Sequence, residues 1–521
     1  MAPGSRPPVQ LEVDGRQVEV PDRGQSLLAV LREDLGLTSV KDGCSPQGQC
    51  GCCTVLVDGQ PRVACVTPAR RVAGRAITTV DGIDPERQAA WAGAFTATGA
   101  SQCGFCTPGI VCRLEGLRAK DPEAAVPAVE QALLAHLCRC TGWRTILDAW
   151  EQRDGAGTEA PPRDLEAAAR RAALEGGTSQ AVDPRVALGR GGFADDTAPA
   201  GALVAVPDGT GGWAVGETLA EAREAAGKIQ GRRTTAEANP PIVAPAGDWD
   251  AVLRTSWVEP AYLEPDAAWC EPGGEPTSPL ANGGAFGAKQ HSPVVAAARA
   301  LADRHGRAVR VLLNREDTVR LGPKRPPLAG GARADGTGLV RVARTPGIAE
   351  AIGLVAPGFA VEEIELLGPP TSTDLRAAGW AEATVLLAGA RRSLAPVTDP
   401  RHRGVAQAEI TADGRVRVRV AAGEVLDEVV LRSYCIGAAH MALSWVSAEG
   451  IAVDDDGTVH DLTIRSFGVL RAVDTPPIEV EIEAGAGPAV RGSDAVFAAV
   501  AAAAWLHGGC LPDWPTGQRW R

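Results

Sequence analysis

Residues 41–65 read KDGCSPQGQCGCCTVLVDGQPRVAC. This segment contains Cys44, Cys50, Cys53 and Cys65, and the step from Cys50 to Cys53 fits the C-x2-C part of a ferredoxin loop. A 2Fe–2S cluster needs four thiolates, of which three usually come from one loop and the fourth from farther along the chain. Five residues separate Cys44 from Cys50, one more than the usual four. The segment therefore predicts a 2Fe–2S site with a lengthened first interval.

Cys52 lies beside this ligand set and competes with Cys53 for the third position. We favour Cys53 because its i, i+3 spacing from Cys50 suits chelation from one loop. Glycines at 43, 48 and 51 let the backbone turn tightly and direct its amides at sulfur. A zinc site and a group of buried free cysteines are the alternatives that the spacing leaves open.

Two later motifs, SQCGFCTPG (101–109) and LCRCTGW (137–143), supply a second group of four cysteines. An oxidised 2Fe–2S cluster with four thiolates is a net dianion, which helix N-termini stabilise. We predict Thr107 as an N-cap with Pro108 at the first helical position, and Thr141 as the cap of the next helix. The predicted ligands are Cys103, Cys106, Cys138 and Cys140. Cys112, Cys270, Cys435 and Cys510 are expected to be structural.

Hydrophobic patterns around these motifs predict an α+β multidomain protein. Residues 9–20 alternate like a hairpin, Ser26 is placed to cap a short helix, and further strands follow to about residue 80, which together describe a β-grasp ferredoxin-like domain. The predicted domains are 1–82 (β-grasp), 83–153 (a small helical bundle) and, after a linker at 154–163, a mixed α/β domain at 164–521. In the last domain we predict helices at 219–229 and 293–305 and strands at 309–313 and 415–420.

Composition and net charge narrow the possible class of protein and its partners. The chain has 521 residues, 45% hydrophobic and 22% charged, as in an ordinary globular protein. Its net charge of −12 disfavours nucleic acid as the main partner. We see no secretory or twin-arginine signal and no run of about 18 apolar residues, so we expect a cytoplasmic protein that does not bind membranes. Crowded cysteines in a cytosolic chain favour metal binding over disulfides.

The ordered motifs KDGC…CGCCTVLVDG, SQCGFCTPG and LCRCTGW resemble the iron–sulfur half of the xanthine dehydrogenase/aldehyde oxidase family of molybdenum hydroxylases over residues 9–150. Cys52 is a departure, because a small residue is usual at that place in the family. Six later segments resemble the family's molybdopterin-binding part: 257–267, 282–290, 313–327, 375–383, 436–445 and 465–482. The resemblance implies that 164–521 is a reduced, mixed α/β molybdopterin-binding-like domain.

The resemblance also implies roles for residues and partners. Gln102 corresponds to a glutamine that contacts the pterin, and Gly284, Phe286 and Gly287 correspond to positions near the metal. It implies hydroxylation of a heteroaromatic ring or an aldehyde. Electrons would pass singly from molybdenum through the helical-domain cluster and the β-grasp cluster to a flavin. Because the sequence has no flavin domain, we expect a separate flavoprotein or other acceptor, with a companion subunit or a homodimer.

The C-terminal half departs from the family in ways that leave two hypotheses open. It is short, and it has no GQG-type loop between about 384 and 410. The family's catalytic Glu is replaced at the matching place by Asp494, which is a candidate general base or, alternatively, a helix cap. The chain is then either a compact molybdenum hydroxylase or an electron-transfer protein whose molybdopterin domain has degenerated.

Overall fold

The structure is a computed structural model that describes residues 7–154, 163–227 and 236–520. Most of the predicted linker, residues 155–162, lies outside the described residues. The same holds for the last two residues of the helix predicted at 219–229.

The N-terminal sheet forms because short alternating strands are joined by tight turns. β1 (Val9–Val13) and β2 (Arg16–Val20) pair antiparallel across Asp14 and Gly15, which both have positive φ, and this confirms the predicted hairpin. The strand order is β2-β1-β5-β3-β4, with β1 and β5 parallel. The other elements are α1 (Leu27–Ala29), which Ser26 caps as predicted, β3 (Thr54–Val57), β4 (Gln60–Val63) and β5 (Ala76–Thr78).

Four helices follow: α2 (Pro85–Thr98), α3 (Thr107–Lys120), α4 (Val126–Ala132) and α5 (Arg144–Gln152). Two predicted caps are wrong. Cys106 is the N-cap of α3, which places Thr107 inside the helix, and Trp143 rather than Thr141 precedes α5. Neither N-cap residue makes a side-chain capping bond, and Thr141 Oγ1 instead accepts the N–H of Trp143, before α5 begins, at 3.4 Å.

Residues after 163 form three further sheets with helices between them. Their strand orders are β7-β6-β10-β9, β13-β12-β11-β8-β18 and β14-β15-β16-β17. The strands are β6 (Leu203–Pro207), β7 (Trp213–Gly216), β8 (Ala251–Thr255), β9 (Ala267–Cys270), β10 (Val309–Leu312), β11 (Leu328–Ala332), β12 (Gly338–Ala343), β13 (Phe359–Ile364), β14 (Val397–Thr398), β15 (Val405–Ile410), β16 (Val416–Ala421), β17 (Ile478–Glu483) and β18 (Asp513–Trp514). The helices are α6 (Leu165–Gly176), α7 (Pro184–Ala187), α8 (Ala194–Thr197), α9 (Leu219–Ala225), α10 (Pro293–His305), α11 (Arg315–Leu321), α12 (Ile348–Gly353), α13 (Trp380–Arg391), α14 (Glu428–Ser447) and α15 (Ser493–His507).

Helices α14 and α15 pack together in the core of this C-terminal half. Among the described helices, α14 alone is long and apolar enough to cross a membrane, with a mean hydropathy of 1.3. However, 89% of its apolar window is buried inside the protein, which accounts for its composition. The whole is an α+β multidomain fold in which α14 reaches the cysteine-rich part of the chain.

Candidate metal centres

The first four predicted cysteines lie together in the loops on either side of β3. Cys44, Cys50, Cys53 and Cys65 are each at most 6% exposed. The Cys44 thiol hydrogen bonds with those of Cys50 and Cys65, which lowers the pKa of Cys44, and the Cys65 thiol also bonds with that of Cys53. Backbone N–H groups donate to Cys44 Sγ (from Gln47, 3.1 Å) and to Cys53 Sγ (from Cys65, 3.4 Å). Four clustered sulfur donors with N–H support fit a 2Fe–2S cluster.

The second four cysteines form two close pairs. Cys140 Sγ lies 3.6 Å from Cys103 Sγ, and the Cys106 and Cys138 thiols hydrogen bond with each other. The bond with Cys106 lowers the pKa of Cys138 to about 7, and Thr141 Oγ1 lies 3.1 Å from Cys138 Sγ. The same bond raises the pKa of Cys106 well above its ordinary value, so Cys138 is the thiol of this pair that favours the thiolate, the form that binds iron. Cys106 caps α3, so one helix N-terminus faces this group as predicted.

The two cysteine groups are joined by direct backbone contact. The N–H of Leu137, beside Cys138, donates to the carbonyl of Cys50 at 3.0 Å. Helix α3 touches the first loop so closely that a methyl group at Gly109 would overlap the Gly51 carbonyl. A short route of covalent and hydrogen bonds therefore connects the two groups.

The C-terminal half closes over the second group. Asn282 Nδ2 donates to the Cys103 carbonyl at 3.0 Å, and a methyl group at Gly284 would lie 3.0 Å from Cys103 Sγ. On the other side, a methyl group at Gly437 of α14 would overlap the Cys140 carbonyl. These contacts place residues from two distant segments against Cys103 and Cys140.

A buried ion pair that sequence reasoning missed fixes the second cysteine loop. Arg139, between Cys138 and Cys140, donates through Nη1 and Nη2 to both carboxylate oxygens of Glu449, with Nη2 at 2.8 Å, and through Nε to the Pro260 carbonyl at 3.0 Å. Both side chains of the pair are at most 8% exposed. Arg139 lies inside the LCRCTGW motif, but nothing in the sequence pointed to its partner.

The residues expected to hold the pterin are occupied by protein contacts. Gln102 Nε2 donates to the Cys140 carbonyl and to Ser433 Oγ of α14, both at 2.9 Å. The cavities beside Gln102, beside Gly284 and beside Phe286 measure about 20, 10 and 40 Å³. Pockets for small organic ligands measure roughly 300–1,000 Å³. In the described part of the chain, these positions do not fit a molybdopterin.

Arg376 connects two of the other expected site residues, Phe286 and Asp494. Arg376 lies over the Phe286 ring, 4.7 Å from its centroid, and its Nε lies 2.9 Å from Asp494 Oδ1. Gly287 is in close contact with the Asp374 carbonyl, which a side chain would overlap. The Asp494 carboxylate is thus held by a guanidinium group in a packed region.

Asp494 is not the cap of α15. The N-cap is Gly492, and its N–H and that of Ser493 donate to the buried Glu175 of α6, at 3.0 and 2.9 Å. Asp494 instead pairs with Arg376 and, at 3.1 Å, with Arg491. Glu175 is 317 positions before Gly492, too far away for any local pattern to suggest it.

Asp399, His402 and Asp494 also bring three ligand-type atoms within 4.8 Å of one another. Asp399 accepts from the His402 N–H at 3.0 Å and lies 2.9 Å from its ring nitrogen. With two guanidinium groups already on Asp494, this group is an ion-pair network.

Comparisons with known proteins support the assignment of both cysteine groups to 2Fe–2S binding domains. The family described as "2Fe-2S iron-sulfur cluster binding domain" matches residues 10–74, and the "[2Fe-2S] binding domain" family matches residues 79–151. The chain is 39% identical over 128 residues to the nicotinate dehydrogenase small FeS subunit of Eubacterium barkeri, covering 24% of this chain and 81% of that protein. It is 38% identical over 149 residues to the nicotine 6-hydroxylase small subunit of Paenarthrobacter nicotinovorans, covering 28% and 90%.

Longer relatives are matched only in part, whereas the fold likeness extends along the chain. The chain is 44% identical to the aldehyde oxidoreductase of Megalodesulfovibrio gigas over 124 residues, which are 23% of this chain and 14% of that protein. The crystal structure of the aldehyde oxidoreductase from Desulfovibrio desulfuricans superposes with a TM-score of 0.64 at 14% identity, covering 96% of this chain and 97% of that one. This likeness concerns the fold alone.

Proposed function

Because the chain belongs to the xanthine dehydrogenase/aldehyde oxidase family of molybdenum hydroxylases through its two 2Fe–2S domains, we propose that it is an electron-transfer component that holds no molybdopterin of its own. Cys44, Cys50, Cys53 and Cys65 would bind one cluster, and Cys103, Cys106, Cys138 and Cys140 the other. When bound, each cluster supplies a one-electron redox centre.

The observation that carries this proposal is the contact between the two thiol groups through Leu137 and Cys50. It supports a relay because a chain of covalent and hydrogen bonds joins the predicted ligands of one cluster to those of the other. The choice of a carrier over a compact hydroxylase rests on Gln102, whose amide is taken up by Cys140 and Ser433.

A carrier of this kind needs a donor and an acceptor on other polypeptides. Two of the similar proteins are named as small subunits, which supports a companion subunit that carries the substrate-oxidising centre. The acceptor would be a flavoprotein or another one-electron carrier. We place the complex in the cytoplasm, where cysteines of this number stay reduced.

Metal and pterin content tests the proposal. The protein is purified anaerobically as the full chain, iron and molybdenum are measured by mass spectrometry, and pterin by fluorescence of its oxidised form. We expect about four iron atoms per chain, from two clusters of two, with molybdenum and pterin below a tenth of the protein concentration. Molybdenum and pterin near one per chain would show a compact hydroxylase instead.

A further inference from the structure

A segment of the C-terminal half, residues 462–465, lies against the loop between the first two predicted ligands. Gln47 Oε1 accepts the N–H of Ile464, and Gln49 Oε1 accepts the N–H of Arg465, both at 3.2 Å. Both glutamines belong to the five-residue interval that is one residue longer than usual. This loop is therefore bound by residues that lie 417 and 416 positions later in the chain.

The Arg465 side chain joins this loop to the helical domain. Its Nε donates to the Gln49 carbonyl and its Nη2 to the Leu134 carbonyl, both at 2.9 Å. Gln49 immediately precedes the predicted ligand Cys50. Leu134 lies three residues before Leu137, whose N–H donates to the Cys50 carbonyl. One guanidinium group thus binds both of the backbone segments that connect the two cysteine groups.

The positive charge of Arg465 acts on the first cysteine group and is not neutralised. Among the cysteines, Cys50 and Cys44 of the first group interact with it electrostatically, and none of the second group does. In the part of the chain that the structure describes, no carboxylate pairs with Arg465, whereas Glu449 balances the charge of Arg139 at the second group. A guanidinium group stays charged at any pH at which a protein is folded. Arg465 is exposed, so solvent weakens its effect on the sulfurs without removing it.

We propose that the fixed positive charge of Arg465, held against the first cysteine loop, raises the reduction potential of the first cluster relative to that of the second. The reduced cluster carries one more negative charge than the oxidised cluster, so a nearby cation stabilises the reduced form more. In the relay step, one electron leaves the reduced second cluster and enters the oxidised first cluster, and no proton or covalent bond moves. Arg465 makes this step more favourable without binding iron. The inference rests on the two clusters of the proposed function.

Potentiometric titration of the two cluster EPR signals tests the role of Arg465 in the full-length holo-protein. In Arg465→Met we expect the reduced-to-oxidised ratio of the first cluster, at the wild-type midpoint, to fall about fivefold, equivalent to about 41 mV for a one-electron couple. The shift of the second cluster should be less than half as large. Arg465→Gln, which keeps a hydrogen-bond donor but no charge, should give the same fall. Arg465→Lys, which keeps the charge, should restore at least half of the change.

The matched control is Arg16→Met in β2. Arg16 is also exposed and lies in the same domain, but β2 is at the edge of the sheet opposite to β3 and β4, so both potentials should stay at the wild-type values. An unchanged first-cluster midpoint in Arg465→Met and Arg465→Gln would overturn the proposal, and so would an equal fall in Arg465→Lys. Loss of two iron atoms per chain in both neutral variants would make Arg465 a purely structural clamp and also overturn it. Wild-type protein without two signals would instead refute the proposed function before any variant is compared.

Discussion

Replacing Glu449 by Ala should release iron from the second cluster while the first cluster stays in place. The change removes the partner of Arg139, whose side chain is 8% exposed and lies between two predicted ligands. Removing one member of a buried ion pair costs roughly 3–5 kcal/mol, because the other charge stays buried without compensation. At 1.4 kcal/mol per factor of ten, the opening equilibrium of the loop should rise by roughly two to three and a half powers of ten.

The assay follows iron transfer to a chelator under anaerobic conditions, with the two EPR signals read separately. We expect the second signal to decay at least about a hundredfold faster than in wild type, with the first signal serving as the internal reference. The double variant Glu449→Ala/Arg139→Met removes the unpaired charge and should recover most of the loss. Asp474→Ala breaks the exposed Arg471–Asp474 pair and should change the rate less than about fivefold. Wild-type decay in Glu449→Ala, or equal loss of both signals, would contradict a role of the Arg139–Glu449 pair in holding the second cluster.

Three further predictions concern single positions. Cys53→Ser should abolish one of the two 2Fe–2S EPR signals, whereas Cys52→Ser should leave both, and the reverse pattern would reassign the ligand. Gly437→Ala forces a methyl group against the Cys140 carbonyl and should lower the free energy of unfolding, measured in urea, by about 1–3 kcal/mol. The control Gly93→Ala has open space around the added methyl group and should raise the free energy of unfolding by up to about 1 kcal/mol. Burial lowers the pKa of His440 to about 3, so between pH 6.5 and about 3 only the unfolded chain takes up a proton at this residue. The free energy of unfolding should therefore fall on acidification by at most about 1.4 kcal/mol per pH unit from this group. Urea unfolding of His440→Gln at several pH values should show a weaker fall.

The sequence predicted those features that depend on neighbouring residues. Short spacings predict the pairs Cys50–Cys53, Cys103–Cys106 and Cys138–Cys140, and the structure brings each group of four together. Helix α10 begins and ends at the predicted residues because Pro293 starts it and Gly306, in the left-handed conformation, ends it. The hairpin at β1 and β2 likewise follows from Asp14-Gly15.

The remaining features depend on contacts between residues that are distant in sequence. Arg139 and Glu449 are 310 positions apart, and Glu175 reaches α15 from α6. The environment of Gln102 could not be predicted either, because it depends on where α14 packs. Local sequence does not show that Ser433 of α14 reaches Gln102.

In the proposed function, two 2Fe–2S clusters lie on one chain and exchange single electrons. Anaerobic reductive titration followed by EPR measures both properties in one experiment. We expect uptake of two electrons per chain and two distinguishable signals that together integrate to about two spins per chain. A colourless protein that contains zinc, takes up no electrons and gives no signal would contradict it.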